Sequence, residues 1–157
     1  MLESELAELF DCLVSGAPIR MKSNRSAFSA YGAVKASSAR TELLIAAIPR
    51  SLVTSPSLDA ATTLADKIMK FGARRNEIAH GRVFNLEEYG FCLAPNNINT
   101  TKWHSKGEKI GHAKYQYSAA DIDYYAREFD KLHIECETLI DQIYVERSTQ
   151  DGAGASE

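Results

Sequence analysis

Leu2, Leu6, Leu9, Phe10 and Leu13 recur at steps of three and four residues, and Gly16-Ala17-Pro18 stops the pattern. That spacing lines one face of an α-helix and predicts a helix over roughly the first fifteen residues. Ser23-Asn24 then offers a cap before Phe28, Tyr31 and Val34, and Ser37-Ser38 precedes Leu43, Leu44, Ala47, Ile48 and Val53. Two helices, or one kinked helix, are expected there. Pro49 lies inside the second series, where the missing amide donor should kink or end the helix. Thr54-Ser55-Pro56-Ser57 breaks the chain again, with Ser57 or a neighbour as the cap of a helix whose apolar face is Leu64, Ile68, Phe71 and Ile78. Gly81 sits at its natural stop.

Between Val83 and Tyr117 the helical period disappears. Tyr89-Gly-Phe-Cys-Leu-Ala and Lys114-Tyr-Gln-Tyr look like short strands around a polar loop. Ser118 opens a capped segment in which Ile122, Tyr125, Phe129, Leu132, Cys136, Leu139, Ile140 and Ile143 keep a helical spacing, predicting the longest helix. Residues 148–157 are small and polar with no apolar face, and read as a disordered tail. The expected fold is mainly α, an up-and-down helical bundle with a small β-hairpin insertion at about 83–117. A single domain over 1–147 would carry it.

Composition narrows the class without changing this picture. At 45% hydrophobic and 25% charged, the 157 residues are those of an ordinary globular domain. A net charge of −3 argues against binding by non-specific phosphate attraction, so any contact with nucleic acid must be local. Cys12, Cys92 and Cys136 form neither a Cys-x-x-Cys pair nor a Cys/His cluster, and a disulfide framework or zinc site is not expected. With no basic-then-apolar leader and no apolar run of membrane-spanning length, the chain is expected to be cytoplasmic, with no membrane partner.

Chemistry is suggested in one place, Arg75-Asn76-Glu77-Ile78-Ala79-His80-Gly81. A guanidinium that is always charged stands near an imidazole, a group type that titrates near neutrality. At about 100° per residue Arg75 falls within the stripe of Leu64, Ile68, Phe71 and Ile78, while Asp66, Lys70, Arg74 and Glu77 form a charged face. A buried guanidinium would need a cleft, a carboxylate or a second subunit. Asn76 and His80 are four apart and share a side of the helix, with His80 about 140° from Arg75. Arg75 and His80 could converge if the last turn unwinds, or if Arg75 of one protomer meets His80 of another across a two-fold axis.

This run, on the third or fourth helix of a helical chain, resembles the signature of HEPN-domain proteins: Arg, four to six residues of which the first is usually polar, then His. Asn76 occupies the polar slot. The resemblance implies a helical bundle, usually a homodimer, with both motifs lining a shared cleft. Many members are metal-independent endoribonucleases; others are noncatalytic RNA-binding or assembly modules. The insertion between the motif helix and the last helix departs from a minimal bundle.

RNA carries its own nucleophile, the 2′-hydroxyl, so cleavage needs a base, for which His80 fits, and a cation to stabilise charge on phosphorus, for which Arg75 fits. Asn76 would orient His80 or bind the phosphate. No metal or other cofactor is expected. Arg74 and Arg82 beside the motif, with Lys102, Trp103, Lys106 and Lys109 of the inserted loop, are the expected RNA contacts, although the loop also reads as a solvated hairpin. His104 and His112 with Cys92 match no standard metal spacing, Tyr115, Tyr117, Tyr124 and Tyr125 read mainly as packing, and His133 suggests no role. The leading expectation is a dimeric ribonuclease, as a toxin or defence effector with an antitoxin or other protein partner. The alternatives are a noncatalytic RNA- or protein-binding dimerisation module, or a structural module with Arg75 buried in an ion pair.

Overall fold

A computed structural model of the chain describes residues 2–15, 26–51, 55–86, 90–95 and 117–154. Its elements are α1 (Leu2–Ser15), α2 (Ser26–Ala33), α3 (Ser37–Ala47), α4 (Ser55–Ala79), β1 (Gly81–Leu86), β2 (Gly90–Pro95) and α5 (Ala119–Gly154). The fold is mainly α, with a small antiparallel hairpin ahead of the last long helix, as the periodicity predicts. No helix among the described residues is long and apolar enough to cross a membrane. Contacts fall into two compact units, residues 1–69 with 129–157, and residues 70–128.

The first unit buries the apolar face of each of its helices. Leu6, Leu9 and Leu13 of α1, Tyr31 of α2, Leu44 of α3, Ala61, Leu64 and Ile68 of α4, and Leu132, Leu139 and Ile143 of α5 are withdrawn from water. Burial of this kind stabilises by about 1.5–3 kcal/mol for each large side chain. The rings of Phe10 and Tyr31 pack 5.2 Å apart between α1 and α2. Pro49 ends α3 as expected, because its ring fits the first turn of a short 3₁₀ segment, Ile48–Arg50, and cannot donate to a longer helix.

Arg40 closes the turn between α2 and α3. Its Nε donates to Val34 O at 2.6 Å, its Nη2 to Gly32 O at 3.3 Å, and its Nη1 to Glu3 Oε2 on α1 at 2.7 Å. One guanidinium thus satisfies carbonyls at the end of α2, which has no further helical turn to bond them, and joins three helices.

Three local expectations change. Ser57 lies within α4 and donates to Glu146 Oε1 at 2.6 Å, so it links α4 to α5 instead of capping its own helix. Helix α5 continues to Gly154, through most of the stretch read as a tail. A helix already nucleated needs no apolar face to add backbone hydrogen bonds, and the Ser148 and Thr149 hydroxyls donate back to Tyr144 O and Val145 O. Strand β1 begins at Gly81, where the polar Arg82 and Asn85 had hidden a strand pattern. The expected cap at Ser23-Asn24 and the strand residues Lys114–Gln116 lie outside the described residues.

Cys12, Cys92 and Cys136 are free and buried. Burial pushes the Cys12 thiol from 9.0 up to about 11, and burial with the nearby Glu5 carboxylate pushes Cys136 from 9.0 up to about 12. Because the folded values lie above the unfolded one, this stabilisation is complete below pH 9 and is lost as pH rises through 11 and 12. Denaturant midpoints should therefore fall across that window, with Cys12→Ser/Cys136→Ser flattening the fall. At pH 8 the two thiols should react with a disulfide reagent only as fast as the protein opens; immediate labelling of both would contradict their burial.

Candidate functional site

The sequence-predicted residues at the end of α4 and on β1 belong to the second unit, where α4 passes into the hairpin. The last helical bond runs from His80 N–H to Asn76 O at 3.1 Å. Gly81 then opens β1, pairing with Pro95 in a register that continues Arg82 with Ala94, Val83 with Leu93, Phe84 with Cys92, Asn85 with Phe91 and Leu86 with Gly90. Tyr117 extends this sheet by one bridge. Its N–H donates to Leu93 O at 2.9 Å, and Leu93 N–H donates to Tyr117 O at 2.8 Å.

Gly81 is required by space and not by backbone twist, since Gly90 is the described residue with positive φ. A Cβ at position 81 would stand 2.6 Å from Leu93 Cγ, 2.7 Å from Leu93 Cδ2 and 3.1 Å from Glu77 O. The glycine lets the strand leave the helix directly beneath Leu93.

Tyr117 is 4% exposed and brings its phenol to the side of α4 that carries Arg74 and Glu77. Arg74 Nη1 donates to Glu77 Oε2 at 2.8 Å and to Tyr117 Oη at 3.2 Å, and the Tyr117 hydroxyl donates to the same Glu77 oxygen. Burial and the bond to Glu77 hold the phenol well above its ordinary value, so it remains a donor. For Arg74, burial opposes the charge but the bonds to Tyr117 and Glu77 outweigh it, and the guanidinium is held more firmly charged than usual. Phe71 and Tyr117 each meet the Tyr125 ring edge-on, at 6.0 and 5.8 Å, and Tyr124 meets it at 5.3 Å. The packing reading of these tyrosines holds for Tyr117 and Tyr125, whereas Tyr124 is 48% exposed; Tyr115 lies outside the described residues.

Two placements made from the helical period are thereby reversed. Arg74 and Glu77, expected on the charged face, are half-buried, whereas Arg75, expected within the apolar stripe, is exposed. The stripe through Leu64 and Ile68 does not run straight on, because the last two turns pack against Tyr117 and Tyr125 through Phe71, Arg74 and Glu77. Within the single chain Arg75 thus needs no buried counterion among the described residues. Its Nη1 reaches Asn76 Oδ1 at 3.5 Å, the outer limit of a hydrogen bond.

Asn76, His80 and Arg82 are exposed as well. Among the described residues no hydrogen bond joins Arg75 to His80. The structure thus brings Arg75, Asn76 and His80 to one helix end, open to solvent, and assigns Arg74 to internal bonding. Lys102, Trp103, Lys106 and Lys109 lie outside the described residues. Glu77 and Tyr117, which fix this end of α4, had no assigned role in the sequence reading; the Arg74/Glu77 spacing of three was the available signal. No family model, curated protein or solved structure matches the chain.

Filling the space under Leu93 should be costly. Gly81→Ala is expected to destabilise the protein by about 1–3 kcal/mol, the usual range for overpacking, read as a lowered melting temperature. An unchanged melting temperature would mean that Gly81 does not pack as described.

Proposed function

We propose that this chain is a metal-independent endoribonuclease of the HEPN type, acting as a homodimer. The observation that carries the reading is the exposure of Arg75, Asn76 and His80 together at the end of α4, beside an arginine that is internally bonded. A phosphodiester could reach the free guanidinium and the imidazole without disturbing the packing. His80 would take the proton of the 2′-hydroxyl as that oxygen attacks phosphorus, Arg75 would stabilise the charge gathering on the phosphoryl oxygens, and Asn76 would orient the phosphate or His80. The 5′-oxygen leaves with a proton, giving a 2′,3′-cyclic phosphate and a 5′-hydroxyl. Because Arg75 and His80 diverge around one helix, a two-fold copy would supply the partner group. Such an activity suits a cytoplasmic toxin or defence effector restrained by a protein partner.

A noncatalytic RNA- or protein-binding module is the second reading, and one observation favours it. Val83 and Phe91 project from the same face of the hairpin and are 66% and 73% exposed, an apolar patch open to a partner.

Purified protein incubated with structured and unstructured RNAs in excess chelator should yield cyclic-phosphate ends. Arg75→Ala and His80→Ala, both exposed and expected to fold normally by circular dichroism, should each reduce cleavage at least a hundredfold. Intact RNA with bound complexes on gels would select the second reading.

A further inference from the structure

In the first unit, α1 and α5 bring together three groups that the proposed chemistry does not use. Glu5 lies on α1; His133 and Glu137 lie one turn apart on α5. One ligand atom from each stands within 4.8 Å of the others. His133 Nδ1 is 3.4 Å from Glu5 Oε2, and its Nε2 is 3.9 Å from Glu137 Oε1.

The Glu5–His133 contact is unusual. Both Glu5 Oε2 and His133 Nδ1 are buried, and neither has a hydrogen-bond partner among the described residues, even though they face each other. Buried polar atoms are normally satisfied, and a carboxylate oxygen facing one imidazole nitrogen at 3.4 Å is short of donors. The separation fits another bonding pattern. Two ligands each about 2.0–2.1 Å from a tetrahedral ion stand about 3.3–3.4 Å apart, with the second atom off the first one's lone-pair axis. The Glu5–His133 separation of 3.4 Å matches that spacing. Glu137 stands by the other ring nitrogen, Nε2, but is more than half exposed on its side chain and can turn toward the Nδ1 side to supply a third ligand, leaving a further position for water.

We propose that Glu5, His133 and Glu137 bind one divalent transition-metal ion of the zinc class, fastening α1 to α5. One imidazole and two carboxylates form a donor set suited to such ions, and the i,i+4 spacing on α5 places two donors on one helix face. The ion is structural: none of its ligands belongs to the Arg75, Asn76 and His80 set, so it is separate from the proposed cleavage.

The test uses the full chain, stripped with chelator, dialysed and titrated with zinc by calorimetry, with cobalt absorption reporting coordination. One zinc per chain is expected, with a melting temperature that rises with zinc concentration. His133→Ala, Glu5→Gln and Glu137→Gln should each weaken binding at least tenfold, while a His104→Ala/His112→Ala variant keeps it. Glu137 is exposed, so its variant tests the site even where His133→Ala fails to fold. No zinc binding, or binding unaffected by Glu137→Gln and Glu5→Gln, would overturn the proposal.

Discussion

A half-buried carboxylate must find donors, and at the end of α4 Glu77 finds two on one oxygen: the guanidinium of Arg74 and the hydroxyl of Tyr117. Hydrogen bonds to a charged acceptor are among the stronger ones, and removing one partner leaves the other group buried without compensation. Tyr117 is in turn fixed by two backbone bonds to Leu93, and Leu93 lies over Gly81. The exit of the chain from α4, the hairpin register and the start of α5 are therefore determined together. Ser118 and Asp121 complete this corner, since the Ser118 N–H and hydroxyl both donate to Asp121 Oδ2 and the Asp121 N–H donates back to Ser118. Those bonds hold the Asp121 carboxyl below its ordinary range and cap the helix.

The consequence for chemistry lies in which arginine is engaged. Adjacent residues on a helix differ by about 100° in direction, so the bonding that draws Arg74 inward turns Arg75 out to water. An exposed guanidinium retains its donors for a phosphate, whereas one bonded to Glu77 and Tyr117 has spent much of its capacity. The proposed function rests on that division. It also assigns Arg74, at first grouped with Arg82 as an RNA contact, to holding the helix end.

The sequence pattern was enough for α1, for the break at Pro49, for the capped start of the last helix and for an insertion between the two long helices. These depend on local signals: apolar spacing, a missing amide donor, a Ser-x-x-Asp box. Arg75 was misplaced because the helical period was extended unchanged to the end of α4, and only the packing of Tyr117 and Tyr125 shows that the buried side there includes Arg74 and Glu77. Strand β1 was missed for a related reason. Arg82, Val83, Phe84 and Asn85 of this strand are all exposed, so burial imposes no alternation on it. His133 and Glu5 are more than a hundred positions apart in the sequence, and nothing local pairs them.

The division between Arg74 and Arg75 is most directly tested by melting Arg74→Ala and Arg75→Ala side by side under one set of conditions. The account predicts that Arg74→Ala costs about 1–3 kcal/mol, the penalty for leaving a buried hydrogen-bonded charge short of a donor, and melts several degrees lower. Arg75→Ala should melt within about a degree of the parent protein. Equal melting of the two variants, or a greater loss with Arg75→Ala, would contradict it.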